Sequence, residues 1–186
     1  MNKENTRPSY TLSIQSEAGV SQGLAGVRKA AKQHQEMKFT VLLHHVTVER
    51  LRESFYALKR KAAPGVDGRT WQEYETGLEG RLIDLQGLVH RGAYRAHPSR
   101  RVYLRKEDGR QRPLGVAALE DKIVQQAVVI ILKAIYEEDF LGFSYGFRPG
   151  RGSQEALDAL WVGIVRKKVN WIVDLDIRSF WFSMAR

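Results

Sequence analysis

The chain has 186 residues, 43% of them hydrophobic and 27% charged, with 30 Lys and Arg against 21 Asp and Glu for a net charge of +9. This length suits one ordinary domain with a real core, and the balance excludes an intrinsically disordered chain. Cysteine is absent, which excludes disulfides and thiolate metal sites, while the basic excess points to a polyanionic partner, most commonly nucleic acid.

The opening stretch, MNKENTRPSYTLSIQSEAG, is polar throughout, and the longest apolar run, Ala127 to Leu132, is too short to span a bilayer. A soluble, cytoplasmic protein with no membrane partner is therefore expected. Residues 1–35 read as a loose, flexible N-terminal arm with a short helix near Leu24 to Lys32. From Thr47, helical spacing of Leu51, Phe55 and Leu58 predicts a helix that closes in the basic run Lys59-Arg60-Lys61. AAPGVDG breaks the chain, and Thr70 with Glu73 forms a capping box opening a helix that buries Leu78, Leu82, Leu85 and Val89.

Two short runs flank Asp108-Gly109, a hairpin signal because Gly readily takes positive φ. Arg91, Arg95, Arg100, Arg101, Arg105, Lys106, Arg110 and Arg112 crowd this hairpin and its approach, opposed only by Glu107 and Asp108 at the turn. Arg offers phosphate a planar fork and Lys a mobile point charge. Val102, Leu104, Leu114 and Val116 supply apolar positions to seat the hairpin. The residues alone leave open a solvated basic hairpin, a nucleic-acid backbone contact or a nucleoside triphosphate contact.

Leu119, Ile123, Val124, Ala127, Ile131 and Ile135 then predict a long helix, with Glu120 and Asp121 near its positive end. In SYGFRPGRG, Tyr145, Phe147, Arg148 and Arg151 surround three glycines, a composition that fits either a single-strand stacking site or a rigid corner. A helix carrying Leu157, Leu160, Trp161 and Ile164 follows. The closing NWIVDLDIRSFWFSMAR reads as a strand over Trp171 to Ile177, with Asp174 and Asp176 on one side. A carboxylate there fits either an Mg²⁺ ligand of the kind phosphoryl transfer needs or a surface Asp paired with an Arg. Helices and strands mix without a βαβ rhythm, so the fold class is α+β. The histidines show no ligand spacing, and no nucleophile elbow or Walker-type loop is present.

Taken together, KRKAAPGVDGRTWQEYE, RGAYRAHPSRRVYLRKEDGRQRPLGVAALEDKIVQQAV, YEEDFLGFSYGFRPGRGS and NWIVDLDIRSFWF resemble successive blocks of bacterial group II intron-encoded reverse transcriptases, or maturases. The resemblance runs from about residue 47 to 183. It implies a right-hand polymerase fold, with residues 36–168 as the fingers and finger-palm region and 169–186 as the first palm strand. It further implies that Lys106 and Arg112 contact the incoming deoxynucleoside triphosphate. Arg100, Arg101, Arg105 and Arg110, with Tyr145, Phe147, Arg148 and Arg151, would contact nucleic acid. Asp176 would be the catalytic ligand of both Mg²⁺ ions, helped by the Ile177 backbone carbonyl, and Trp181 would face the nucleotide sugar. The implied partners are template or intron RNA, primer DNA and deoxynucleoside triphosphates.

The chain departs from the family pattern at Trp181, where Phe is usual, at Phe182, where Asp is usual, and at Arg105, where Pro is common. Asp174 matches no family role and reads as an ion-pairing neighbour. The family's later palm blocks, with two more metal-binding carboxylates, do not follow Asp176 within the 186 residues, so the domain reads as truncated and the chain alone as inactive. Two alternatives stand beside a polymerase fragment: a non-catalytic RNA-binding module, and a decayed reading frame.

Overall fold

The computed structural model describes residues 22–105, 107, 109–167, 169 and 171–175. The chain divides into two units, one ending at Asp139 and the other starting at Phe140. Among the described residues the first unit contains helices α1 (Gln22–Gln33), α2 (Val48–Ala57), α3 (Trp71–Glu75) and α4 (Leu78–His90). It continues with strands β1 (Arg100–Arg105) and β2 (Gln111–Val116) and the long helix α5 (Leu119–Asp139). The second unit contains α6 (Ser153–Lys167). This mixture of helices with a small antiparallel sheet agrees with the α+β class.

Local chemistry explains the boundaries. Thr47 Oγ1 accepts the Arg50 amide at 3.2 Å and so opens α2 where the sequence placed it. The Thr70–Glu73 capping box is present in both directions, with the Thr70 amide donating to Glu73 at 2.9 Å. It opens a shorter helix than expected, however. Gly77 adopts φ 75° in the left-handed region, and the apolar stripe of Leu78, Leu82 and Leu85 belongs to a separate helix, α4. A Schellman motif ends α4, with Gly92 at φ 66° and the Ala93 amide donating to the Leu88 carbonyl at 2.9 Å.

The core of the first unit forms where α2, α4 and α5 meet, around Leu51, Phe55, Tyr74, Leu82, Leu85 and Ile123. Phe55 stacks on Trp71 with centroids 4.5 Å apart, and Trp71 Nε1 donates to the Phe55 carbonyl at 3.3 Å, so the ring is buried without losing its hydrogen bond. The short helix expected near Leu24 to Lys32 is present as α1, docked rather than loose. Helix α1 packs on α5, burying Leu24 and Ala31, and Arg28 pairs with Glu138 at 3.0 Å. Residues 1–21 lie outside the described residues.

The expected closing strand is also corrected. Residues 171–175 form neither helix nor strand, and all five are exposed. A strand exists only through hydrogen bonds to a neighbour. Among the described residues the single sheet is the β1–β2 pair.

Candidate nucleic-acid interface

The hairpin sits on a base built from three other segments. Gly65 lies so close to the start of α5 that a Cβ there would come within 2.4 Å of Ala118 Cα, which explains why this position has no side chain. Beside it, Arg100 Nε donates to the Pro64 carbonyl at 3.1 Å and Lys122 Nζ donates to the Ala63 carbonyl at 2.8 Å. Burial under this loop pulls the Lys122 ammonium below its ordinary pKa; Arg100 adds to the shift and Asp67 opposes it.

A second anchor holds the approach to β1. Asp121 is only 3% exposed and accepts hydrogen bonds from the Tyr94 hydroxyl and, at 3.1 Å, from the His97 amide. Burial, reinforced by the Asp121 carboxylate, raises the Tyr94 hydroxyl well above its ordinary pKa, so it remains a donor. Asp121 was expected to complement the α5 dipole. Its two donors give it the further task of fixing the 94–97 segment to that helix. Sequence reading missed this role because a carboxylate in a first helical turn is ordinarily solvated.

β1 and β2 pair antiparallel with Arg100 opposite Val116, Val102 opposite Leu114, Leu104 opposite Arg112 and Arg105 opposite Gln111. Alternation then gives the hairpin two different faces. Arg100, Val102, Leu104, Arg112, Leu114 and Val116 share one; Arg101, Tyr103, Arg105, Gln111, Pro113 and Gly115 share the other. The four expected seating residues do lie together, yet only Val102 and Val116 are half-buried, while Leu104 and Leu114 are exposed. Only the base of the hairpin is seated. Pro113 is tolerated because β2 pairs on one side only among the described residues.

Arg101, Arg105, Arg110 and Arg112 are all exposed, and among the described residues Arg101, Arg105 and Arg112 have no ion-pair partner. Gly109 takes φ 80° in the turn, as the hairpin signal required. Lys106 and Asp108 lie outside the described residues. Tyr103, 54% exposed between Arg101 and Arg105, was not singled out in the sequence. Its spacing of two from each Arg in a strand was the available signal.

In the second unit the turn 141–152 folds its own cations inward. Arg148 donates to the carbonyls of Leu141 at 3.0 Å and Ser144 at 3.1 Å and lies 4.9 Å from the Phe140 ring centroid. Arg151 donates to the Gly142 carbonyl at 2.6 Å and lies 5.2 Å from the Tyr145 ring centroid. These guanidiniums brace a rigid corner, one of the two possibilities its composition left open. Phe147 is different: it is fully exposed, with φ 58° in a region a bulky side chain rarely adopts. Gly163 of α6 and Phe143, Leu160 and Ile172 line an apolar groove of about 350 Å³ in the same unit.

Among the described residues there is no group of three or more His, Asp or Glu able to hold a metal ion, and no helix is long and apolar enough to cross a membrane. Asp176, Ile177 and Trp181 lie outside the described residues, so the expected metal ligands and sugar contact have no described geometry. Asp174 is exposed and, among the described residues, has no ion pair; its same-face neighbours Asp176 and Arg178 lie outside the described residues.

No family model matches the chain. Protein YkfC of Escherichia coli (strain K12) is 36% identical over 120 residues, 63% of this chain and 32% of that protein. The group II intron-encoded protein LtrA of Lactococcus lactis subsp. cremoris is 38% identical over 92 residues, 47% of this chain and 14% of that protein. The putative COX1/OXI3 intron 1 protein of Saccharomyces cerevisiae is 28% identical over 133 residues, 71% of this chain and 16% of that protein. The chain therefore spans a third or less of the length of these relatives. Over the region they share, it is a relative of the group II intron-encoded proteins, the reverse transcriptase/maturase-like family that its sequence blocks resemble.

Proposed function

We propose that this chain carries the fingers of an RNA-directed DNA polymerase of the group II intron type. The observation that carries this reading is the hairpin, whose Arg101, Arg105 and Arg112 stand exposed without ion-pair partners among the described residues, in a region related to an intron protein. Unneutralised guanidiniums on a rigid two-stranded support suit phosphate, and the base around Gly65, Asp121 and Lys122 supplies that rigidity. In this reading Lys106 and Arg112 take the triphosphate of an incoming deoxynucleotide. Arg100, Arg101, Arg105 and Arg110 hold template or intron RNA, and Trp181 meets the sugar of the nucleotide that extends a DNA primer.

Asp176 and the Ile177 carbonyl are the residues that would hold Mg²⁺. When bound, the metal would neutralise charge on the phosphates. Polymerisation is proposed for the complete enzyme. Primer extension on an RNA template by that enzyme should fall at least ~100-fold on Asp176→Ala, an order of magnitude set by the weight of metal and electrostatic stabilisation in such transfers. Unchanged extension would remove Asp176 from the site.

A non-catalytic RNA-binding module is the second reading, supported by the same exposed cations. Both readings require salt-dependent RNA binding. Replacing Arg101, Arg105 and Arg112 with Gln should flatten the dependence of log affinity on log salt by about 2 to 3, close to one for each phosphate left without its cation. An unaltered slope would overturn both.

A further inference from the structure

The two faces of the hairpin differ in chemistry, and the difference assigns a residue that the family resemblance does not. Arg112 shares its face with the aliphatic side chains of Leu104 and Leu114. The opposite face carries Arg101, Tyr103 and Arg105 in one row, with Gly115, Pro113 and Gln111 directly across from them. We infer that Tyr103 is a stacking platform for an unpaired RNA base, with Arg101 and Arg105 taking the phosphates on either side. This rests on the proposed reading of the hairpin as an RNA contact.

An exposed Tyr on a strand is ordinary by itself. Its surroundings set this one apart. Same-face neighbours along a strand stand about 7 Å apart, so the ring lies within reach of whatever both guanidiniums hold. Opposite charges are the usual way for a strand pair to neutralise such cations, yet the three cross-strand residues here include no acid. Tyr103 is itself more than half exposed, so its ring is accessible. Guanidiniums flanking an accessible aromatic combine the two components of single-strand binding: phosphate neutralisation and a π surface that accepts any base. Duplex RNA does not fit this arrangement, because its bases are already stacked and its grooves are read by shape.

The test uses the full chain and two labelled probes, a short single-stranded RNA and a perfectly paired RNA duplex, titrated at several salt concentrations. Tyr103→Ala should weaken single-strand binding by about 5- to 100-fold, leave the salt slope unchanged and leave duplex binding unchanged. Tyr103→Phe, which keeps the ring, should bind like the parent. Arg101→Gln with Arg105→Gln should instead reduce the salt slope by about 2.

If Tyr103→Ala binds like the parent while the arginine pair matters, the face is a phosphate contact only and the stacking inference is overturned with the RNA reading intact. Equal losses on both probes would mark general damage to the hairpin and also overturn it. A change in self-association with RNA affinity unchanged would make the face a protein contact, against the inference. If the Arg101, Arg105 and Arg112 replacements all leave RNA binding unaltered, the reading beneath it fails as well.

Discussion

Two helices of similar apolar content have opposite fates in this molecule. Helix α5 buries Leu119, Ile123, Ala127, Ile131 and Ala134 against α1 and α2, whereas α6 buries no residue and presents Leu157, Leu160, Trp161 and Val165 to solvent. A helical apolar stripe specifies which side wants cover; whether cover is supplied depends on what else packs there. The first unit supplies it from several segments. In the second, among the described residues, a large apolar surface stays open, of the kind that usually marks a contact site.

The contrast breaks most decisively at Phe55 and Trp161. Phe55 is fully buried and stacked on Trp71, so Phe55→Ala should cost about 3–5 kcal/mol in chemical denaturation. Trp161 is 64% exposed, and Trp161→Ala should change stability by less than about 0.5 kcal/mol. Comparable losses from both would mean that α6 is packed as tightly as the core of the first unit and would erase the difference.

Gly65→Ala probes how rigidly the first unit holds its hairpin. The new methyl would meet backbone atoms of Ala117 and Ala118, not a yielding side chain, so loop and helix must part. An overpacking cost of about 1–3 kcal/mol is expected, with faster amide exchange in β1 and β2. Parent-like exchange in both strands would show that the loop does not support them.

The smallest effect is that of acid. His45 is held below its usual pKa of 6.5, first by burial and then by His44 and Arg50, so the folded state prefers it neutral. Its contribution is complete above the unfolded pKa and declines as pH falls through and below that value. Glu49, Glu73 and Glu79 are depressed mainly by hydrogen bonds, from the Glu49 amide, the Thr70 amide and Arg52 respectively. Their contributions decline in turn as pH drops through the ordinary carboxylate range and below. The melting temperature should therefore decrease slightly from about pH 6.5 and further near pH ~4. A melting temperature that rises on acidification would contradict these shifts.

Features written in a few adjacent residues were legible in the sequence: the Thr70–Glu73 box, the turn at Gly109, the apolar period of α5. So was the clustering of cations on the hairpin, since alternation alone puts Val102 and Leu104 on one face. What escaped reading depends on distant partners. Nothing near Asp121 announces Tyr94 and His97 as its donors, and nothing near Gly65 announces Ala118 beneath it. The break at Gly77 was hidden because the apolar stripe continues after the turn, and hydrophobic period cannot register a change of helix direction. For Arg148 and Arg151 composition left a stacking site and a rigid corner equally open, because it does not show that carbonyls of their own loop lie within reach.

The docking of α1 on α5 has a consequence for how the protein is made. Arg28 and Glu138, which join the two helices, are separated by roughly 110 positions in the chain, so at the usual pace of translation α1 waits about 5–20 s for its partner. During that interval Leu24 and Ala31 lack the cover that α5 gives them, and a helix of α1's length is marginal in water by itself. The newborn chain thus carries an unsatisfied apolar segment until α5 leaves the ribosome, open to any factor that shields nascent chains.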